Sequence, residues 1–123
     1  MPKSPHCALG KTGEDLACEE LLRRGYAILD RRYRTRRGEL DIVALDGVTL
    51  VFVEVKTRAS TRCGGPLDAV TPAKCRRIAA MAADYQLRRR LQTRVCRFDV
   101  VAVTFDEEGR PAVQIVPNAF DGW

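Results

Sequence analysis

The sequence predicts one α/β domain with the element order αβββαβ, in which helices flank a mixed central sheet. The chain has 123 residues, of which 46% are hydrophobic and 30% charged, as expected for one globular domain. Two stretches with helical spacing begin at threonine caps, near residues 13–24 and after Thr71. Between and after them, apolar segments of strand length cover residues 26–33, 38–58 and 97–105. We expect residues 12–123 to form the domain and residues 1–11 to be a flexible lead-in.

The first helix is predicted over residues 13–24, with Thr12 as its N-cap and Gly25 ending it. Glu14 falls on the same helix face as Ala17 and Cys18, which are apolar. One helix acid is therefore predicted to face inward. The alternative is that Glu14 only interacts favourably with the helix dipole. A strand is predicted next, over residues 26–33, followed by a cluster of arginines around Tyr33.

The segment over residues 38–58 is predicted to form a hairpin of two strands that turns at Asp46-Gly47. Glu54 and Lys56 interrupt an otherwise apolar strand, on the face shared with Phe52. Charged groups in such a strand are costly unless they have a partner or a function. The charges therefore mark this hairpin as the candidate site.

A turn at Asp46-Gly47 predicts a register that places Asp41 opposite Phe52 and Glu39 opposite Glu54. Asp41 and Glu54 are then diagonal neighbours on one face, with backbones roughly 7–8 Å apart. At about 5 Å, two carboxylates repel by roughly 3 kcal/mol at an effective dielectric constant near 20. A hard cation among the carboxylates would remove this repulsion, and oxygen ligands in small number suit Mg²⁺ or Mn²⁺.

The second half of the chain is predicted to contain a loop, a helix and two strands. The loop covers residues 59–67, and the helix begins with Thr71 as N-cap and Pro72 in its first turn. The strands cover residues 97–105 and 111–116, the latter at a sheet edge. Asp99, at the start of its strand, is interpreted as a surface or turn acid, with catalysis as the alternative.

Charge is unevenly distributed along the chain, whose formal net charge is +5. The stretch from Lys56 to Arg97 contains eleven Lys or Arg residues and two acids, Asp68 and Asp84, which leaves a net charge of +9. A basic surface beside an acidic pocket suits an enzyme acting on a polyanion. A solvated helix face is the alternative explanation.

Several protein classes are excluded or disfavoured. No apolar run reaches the length of a membrane-spanning helix, and the first residues lack a signal-peptide core. The five cysteines have no zinc-site spacing, and we expect reduced thiols in a cytoplasmic protein, several of them in the core.

The segments that carry the candidate site resemble those of a known family. They are Gly13-Glu14-Asp15-Leu16-Ala17, Gly25-Tyr26-Ala27-Ile28-Leu29, the run from Arg37 to Ala44, Phe52-Val53-Glu54-Val55-Lys56-Thr57-Arg58, and Arg97-Phe98-Asp99-Val100-Val101. The chain resembles the YraN family (uncharacterised protein family 0102), in the Holliday-junction-resolvase-like branch of the PD-(D/E)xK nuclease superfamily. The resemblance implies a restriction-endonuclease-like core.

The resemblance also implies roles for individual residues. Asp41 and Glu54 would be metal ligands, with the Val55 carbonyl, and Glu14 would complete the site. Lys56 would orient or activate the attacking water and offset phosphate charge. We expect the cofactor to be Mg²⁺ or Mn²⁺ and the following residues to contact nucleic acid: Arg34, Arg37, Arg58, Lys74, Arg76, Arg77 and Arg88.

The function expected on these grounds is metal-dependent endonuclease activity on branched or otherwise structured DNA. A homodimer is a further expectation, because resolvase-like enzymes pair two sites to cut two strands. One alternative is a nucleic-acid-binding module that keeps the fold but does not cut. Another is an interaction protein whose acids are a relic.

Overall fold

The computed structural model describes residues 12–58 and 71–119, which form two helices and five strands. Their bounds are α1 Gly13–Arg23, β1 Ala27–Thr35, β2 Gly38–Asp46, β3 Thr49–Arg58, α2 Pro72–Arg88, β4 Cys96–Phe105 and β5 Pro111–Val116. The predicted loop over residues 59–67, the N-terminal lead-in, Cys7 and Cys63 lie outside the described residues. Within the described ranges, no helix combines the length and apolar character needed to cross a membrane.

The five strands form one mixed sheet in the order β1-β2-β3-β4-β5. Neighbouring strands are antiparallel except β3 and β4, which are parallel and are connected through α2. The predicted α/β class and mixed sheet are confirmed, and the arrangement is consistent with a restriction-endonuclease-like core. The edge strand predicted over residues 111–116 is β5.

Local signals set both helix starts. Thr12 and Asp15 form a reciprocal capping box, in which the Asp15 amide donates to Thr12 Oγ1 at 3.1 Å and the Thr12 amide donates to Asp15 Oδ2 at 3.2 Å. The Lys74 amide donates to Thr71 Oγ1, and Pro72 occupies the first turn of α2. Both N-caps predicted from the sequence are confirmed.

The helices pack on opposite faces of the sheet. Leu21 of α1 packs with Val51, Val53 and other apolar residues on one face. Tyr85 of α2 packs with Phe52 on the other face. Successive residues of β3 therefore alternate between two cores, which explains why the strand is apolar almost throughout.

Hydrogen bonds between side chains attach α2 to β1 across the sheet face. The Tyr85 hydroxyl donates to Asp30 Oδ2 at 2.7 Å, and the Tyr33 hydroxyl donates to Asp84 Oδ2 at 2.8 Å. The two tyrosine rings meet edge to face, with centroids 4.9 Å apart. This attachment fixes the axial position of α2, and with it the side chains of its first turns.

The predicted hairpin register is wrong by two residues. Asp46 pairs with Thr49 and Ile42 pairs with Val53, so Gly47 and Val48 form the turn. Gly47 has φ +62°, and placing only the glycine at a positive φ avoids the strain that Asp46 would carry in a turn centred on Asp46-Gly47. Because the shift is two residues, Asp41, Glu54 and Lys56 keep their predicted shared face.

The cysteines of the described chain are free thiols. Cys18 is buried in the core beside α1, where burial raises the pKa of its thiol. Cys75 and Cys96 are half-buried. The predicted use of cysteine as a small core residue is confirmed for Cys18.

Candidate metal and nucleic-acid site

Asp41 and Glu54 meet where β2 and β3 diverge. The regular pairing of these strands ends at Ile42 and Val53, and continuing the register places Asp41 directly opposite Glu54 rather than diagonal to it. The Val55 amide donates to Asp41 Oδ2 at 2.8 Å. The Asp41 side chain thus accepts a hydrogen bond that a backbone carbonyl of β2 would accept if the strands continued to pair. The Asp41 carboxylate is therefore held at the point where the strands separate.

The environment of Asp41 opposes its negative charge. Burial is the largest cause, and the nearby carboxylates of Glu54 and Glu14 add repulsion, while the Val55 amide acts in the other direction. Together these raise the pKa of Asp41 from 3.8 to about 7. A partly buried acid whose pKa is raised by desolvation and by neighbouring acids is a common feature of functional sites.

Two lysines surround Glu54. Lys56 Nζ lies 3.6 Å from Glu54 Oε2, and Lys74 Nζ is in direct contact with the same oxygen. Burial, and then the adjacent Lys74, lower the pKa of Lys56. Burial is the largest influence on Lys74 and opposes its charge, but contacts with Glu54 and Lys56 and the charges of Glu54 and Asp41 together raise its pKa. The site thus combines two carboxylates and two ammonium groups.

Glu14 lies near this group, but arginines bind its carboxylate. Glu14 Oε1 accepts hydrogen bonds from Arg31 at 2.8 and 3.0 Å and from Arg32 at 3.1 Å. Arg31 also contacts Asp15 at 2.8 Å, and this arginine is the main reason that the pKa of Asp15 falls to about 2. Glu14 does face the sheet as predicted, but its carboxylate is neutralised there by arginines of β1.

The backbone of β1 is irregular at the arginines that bind Glu14. Arg32 has φ +56°, an uncommon conformation for a residue other than glycine. The pairing of β1 with β2 also shifts by one residue between Ile28 and Asp30. The sequence predicts Arg31 and Arg32 only as members of the arginine cluster around Tyr33. Their contacts with Glu14 in the structure place them at the site.

Close packing of the α1 N-terminus on β3 places Glu14 near Asp41. A Cβ atom at Gly13 would lie 1.9 Å from Thr57 Oγ1, so only glycine allows the helix to approach this closely. The first turn of α1 is therefore held against the end of β3 that carries Glu54 and Lys56.

A cleft of about 230 Å³ opens beside Asp41 and Glu54. The β1–β2 hairpin and α2 line the cleft with basic side chains, namely Arg37, Lys74 and Arg77. The structure thus brings three of the predicted nucleic-acid contacts to two of the four predicted metal ligands, Asp41 and Glu54.

The other predicted nucleic-acid contacts are more dispersed. Arg34 is 80% exposed and pairs with Glu39, and Arg76 is exposed on α2. Arg58 is half-buried at the end of β3. Arg88 pairs with Asp84 fourteen residues after Lys74, which is about 21 Å along a helix at 1.5 Å per residue. The structure does not bring Arg88 to the cleft.

Asp99 is neither a surface acid nor part of this site. It is fully buried, and its oxygens accept hydrogen bonds from Arg97 at 2.9 Å, the Tyr26 hydroxyl at 3.2 Å and the Asn118 amide at 2.9 Å. Arg97 also contacts Asp46 at the hairpin end of the sheet. The interpretation of Asp99 as a surface acid is wrong, and its contacts are those of a structural ion pair.

The donor set at Asp41 and Glu54 fits a small hard cation. Across residues 12–58 and 71–119, no three or more His, Cys, Asp or Glu residues come close enough to hold an ion together. Magnesium is usually bound by one or two carboxylates and several waters, so a pair of carboxylates is sufficient. Burial and then repulsion by Glu54 and Glu14 raise the pKa of Asp41, and a bound cation would offset both effects. The part predicted for the Val55 carbonyl stays a prediction.

Comparison with known proteins identifies relatives along most of the chain. The model of Uncharacterised protein family UPF0102 matches residues 13–103. A UPF0102 protein of Anaeromyxobacter dehalogenans is 53% identical over 115 residues, which cover 94% of this chain and 85% of the relative. A UPF0102 protein of Symbiobacterium thermophilum is 47% identical over 112 residues, covering 91% and 95%. This chain therefore belongs to the uncharacterised protein family UPF0102.

Proposed function

We propose that this protein is a metal-dependent endonuclease that hydrolyses phosphodiester bonds in branched or otherwise structured DNA. The observation that carries the proposal is the pair of partly buried carboxylates, Asp41 and Glu54, beside Lys56 in a cleft with basic walls. Acids and bases converge there although each is costly to bury, and the sheet would be more stable with apolar residues.

Each side chain has a place in phosphodiester hydrolysis. Asp41 and Glu54 would hold Mg²⁺ or Mn²⁺, which supplies a Lewis acid for the phosphoryl oxygen. Lys56, on the same strand as Glu54, would orient the attacking water and stabilise negative charge on the phosphate in the transition state. The hydrogen bond from the Val55 amide holds the Asp41 carboxylate in position at the site.

The basic walls of the cleft support a polyanionic substrate. Arg37, on the β1–β2 hairpin, and Arg77, on α2, both line the cleft. Contacts of this kind neutralise phosphates and position a nucleic acid without reading its sequence. This suits an enzyme that recognises the shape of DNA.

A second candidate is a nucleic-acid-binding module without cleavage activity. It is favoured by the contacts of Glu14. The Glu14 carboxylate forms ion pairs with Arg31 and Arg32 rather than being left unpaired beside Asp41. A site with two carboxylates and two lysines also resembles a cluster whose charges are already balanced. The two candidates share the binding surface and differ only in cleavage.

Metal-dependent cleavage separates the two candidates. With Mg²⁺ or Mn²⁺, the purified protein is expected to nick or resolve a labelled four-way or flapped DNA. Asp41→Asn and Glu54→Gln are expected to lose cleavage and to keep DNA binding, because the fold and the basic walls remain. The assay compares product formation on gels with binding measured by fluorescence anisotropy. Absence of metal-dependent cleavage on linear, nicked, flapped and four-way substrates would favour the binding module.

The position of the DNA surface is tested by charge reversal on α2. The Arg76→Glu/Arg77→Glu double variant is expected to weaken DNA binding and to reduce the slope of log K against log salt by about two, roughly one for each lost phosphate contact. Arg94→Glu is the matched control, because Arg94 contacts the Val48 carbonyl at the hairpin end of the sheet. An equal effect of both variants would show only general electrostatic attraction, and an unchanged slope would place the surface elsewhere.

A further inference from the structure

We infer that the ammonium group of Lys74 is a built-in counter-ion, which occupies the cation position at Asp41 and Glu54 and leaves it when a divalent ion binds. The inference rests on the proposed function, because it concerns the metal site on which that function depends. It assigns Lys74 to the metal site, whereas the sequence predicted only a nucleic-acid contact.

The contact geometry places Lys74 at the carboxylates rather than on the outer surface. Its Nζ contacts Glu54 Oε2, and both side chains are largely buried, with 21% and 13% of their surface exposed. Asp41, Glu54 and Lys74 line the same cleft. The positive charge that compensates two converging carboxylates is thus already present in the protein.

The helix itself does not explain a lysine at this position. Lys74 lies in the first turn of α2, where the helix dipole disfavours a positive charge and where no acid is present. The cap of the helix is formed by the Thr71 side chain and the Lys74 backbone, without the ammonium group. The interaction that accounts for the lysine side chain is the one across the cleft to Glu54.

The two lysines differ in how they reach Glu54. Lys56 lies two residues from Glu54 on β3, with its Nζ 3.6 Å from Glu54 Oε2, so the strand keeps its backbone beside the carboxylate. Lys74 reaches the same oxygen from another element through its own flexible side chain. Rotation of that side chain is enough to withdraw Lys74, and no backbone movement is needed. After leaving Glu54, Lys74 would still line the cleft, where its positive charge would attract the phosphate of a bound nucleic acid.

Binding of Mn²⁺ alone, measured by titration calorimetry, tests the inference. Because the metal no longer has to displace an ammonium group, Lys74→Met is expected to bind Mn²⁺ at least about tenfold more tightly than the unchanged protein, within the usual range of coupling between sites. Arg77→Met is the matched control: it removes one positive charge from the same helix and cleft, but Arg77 is not paired with Glu54 among the contacts of the described chain. Its affinity is expected to change less than about threefold, because only distant electrostatics are altered.

Thermal melting without metal gives a second readout. Lys74→Met is expected to have a lower melting temperature than the unchanged protein, because Asp41 and Glu54 lose their counter-charge. The Lys74→Met/Glu54→Gln double variant is expected to recover the lost melting temperature. Saturating Mn²⁺ is expected to raise the melting temperature of Lys74→Met more than that of the unchanged protein. If Lys74→Met does not fold, Lys74→Gln serves in the same measurements.

The outcomes separate the inference from the proposed function. Equal Mn²⁺ affinity of Lys74→Met and the unchanged protein, weaker binding by Lys74→Met, or an equal gain in Arg77→Met would overturn the inference and leave the proposed metal site intact. Binding by Lys74→Met but not by the unchanged protein would support it. Failure of both to bind Mn²⁺ would overturn the inference and the proposed function together.

Discussion

At pH 8 and without divalent metal, Asp41→Asn is expected to melt at least about 5 °C above the unchanged protein, since 1 kcal/mol shifts a domain of this size by several degrees. The reason is that the native fold places the Asp41 carboxylate in a partly buried position beside Glu54 and Glu14. Asparagine has nearly the same shape, carries no charge, and keeps an oxygen that accepts from the Val55 amide. A variant that removes a candidate catalytic group is thus expected to stabilise the protein.

The pKa of Asp41 determines the pH dependence. The carboxyl has a pKa of 3.8 ordinarily and about 7 in the native fold. Between these values the native state holds a proton that the unfolded state has released, so the stability of the unchanged protein falls as the pH rises. A shift of this size corresponds to roughly 4 kcal/mol, lost between about pH 4 and pH 7. The advantage of Asp41→Asn is therefore expected to grow over that range and to level off above pH 7.

Melting curves from pH 4 to pH 8, in a buffer with a metal chelator, check this expectation. Glu39→Gln is the control, because it removes an acid of β2 whose partner, Arg34, is 80% exposed. Its effect is expected to stay below about 1 kcal/mol at every pH, as for exposed pairs. If Asp41→Asn lowered the melting temperature by several degrees at pH 8, the Asp41 carboxylate would have a structural role instead.

Asp99→Asn is expected to have the opposite effect and to lower the free energy of unfolding by about 3–5 kcal/mol, the usual cost of breaking a buried ion pair. The Asp99 carboxylate is fully buried and accepts two hydrogen bonds from Arg97, one from the Tyr26 hydroxyl and one from the Asn118 amide. Asparagine would replace one acceptor by a donor that faces other donors. Arg97 would keep its contacts with Asp46 at 3.0 Å and with the Tyr26 hydroxyl at 2.8 Å, but it would lose its buried counter-charge.

Chemical denaturation at pH 7 measures this loss, with Asp106→Asn as the matched control. Asp106 also pairs with an arginine, Arg110, but both side chains are exposed, and its Oδ1 accepts backbone hydrogen bonds that asparagine can keep. The control is expected to change stability by less than about 1 kcal/mol. A cost for Asp99→Asn no larger than for Asp106→Asn would mean that the buried network contributes little to stability.

Comparison of the two aspartates shows what separates a structural acid from a candidate functional one. Asp99 is fully buried with enough donors to satisfy its charge, whereas Asp41 is partly buried with one backbone donor and two neighbouring acids. Both are aspartates in apolar strands of the sequence. Their different environments follow from which side chains the fold brings to each of them.

The sequence predicted the shared face of Asp41, Glu54 and Lys56 even though the predicted register was wrong. Alternation along a strand depends only on whether positions are odd or even, and a shift of two residues leaves it unchanged. The direct juxtaposition of Asp41 and Glu54 depends on the true register, which the turn at Gly47-Val48 decides. The part of the prediction that relied on periodicity is confirmed, and the part that relied on the turn is wrong.

Local chemistry was enough to predict the helix starts, the strands and the charged face of the hairpin, because caps, periodicity and apolar runs act over a few neighbouring residues. The binding of Glu14 by Arg31 and Arg32, the contact of Lys74 with Glu54 and the burial of Asp99 against Arg97 required the tertiary structure. These pairs join different elements or depend on burial. Nothing in the sequence around one member of a pair indicates which residue will be its partner. Only the packing of α1 and α2 on the two faces of the sheet decides which charges become neighbours.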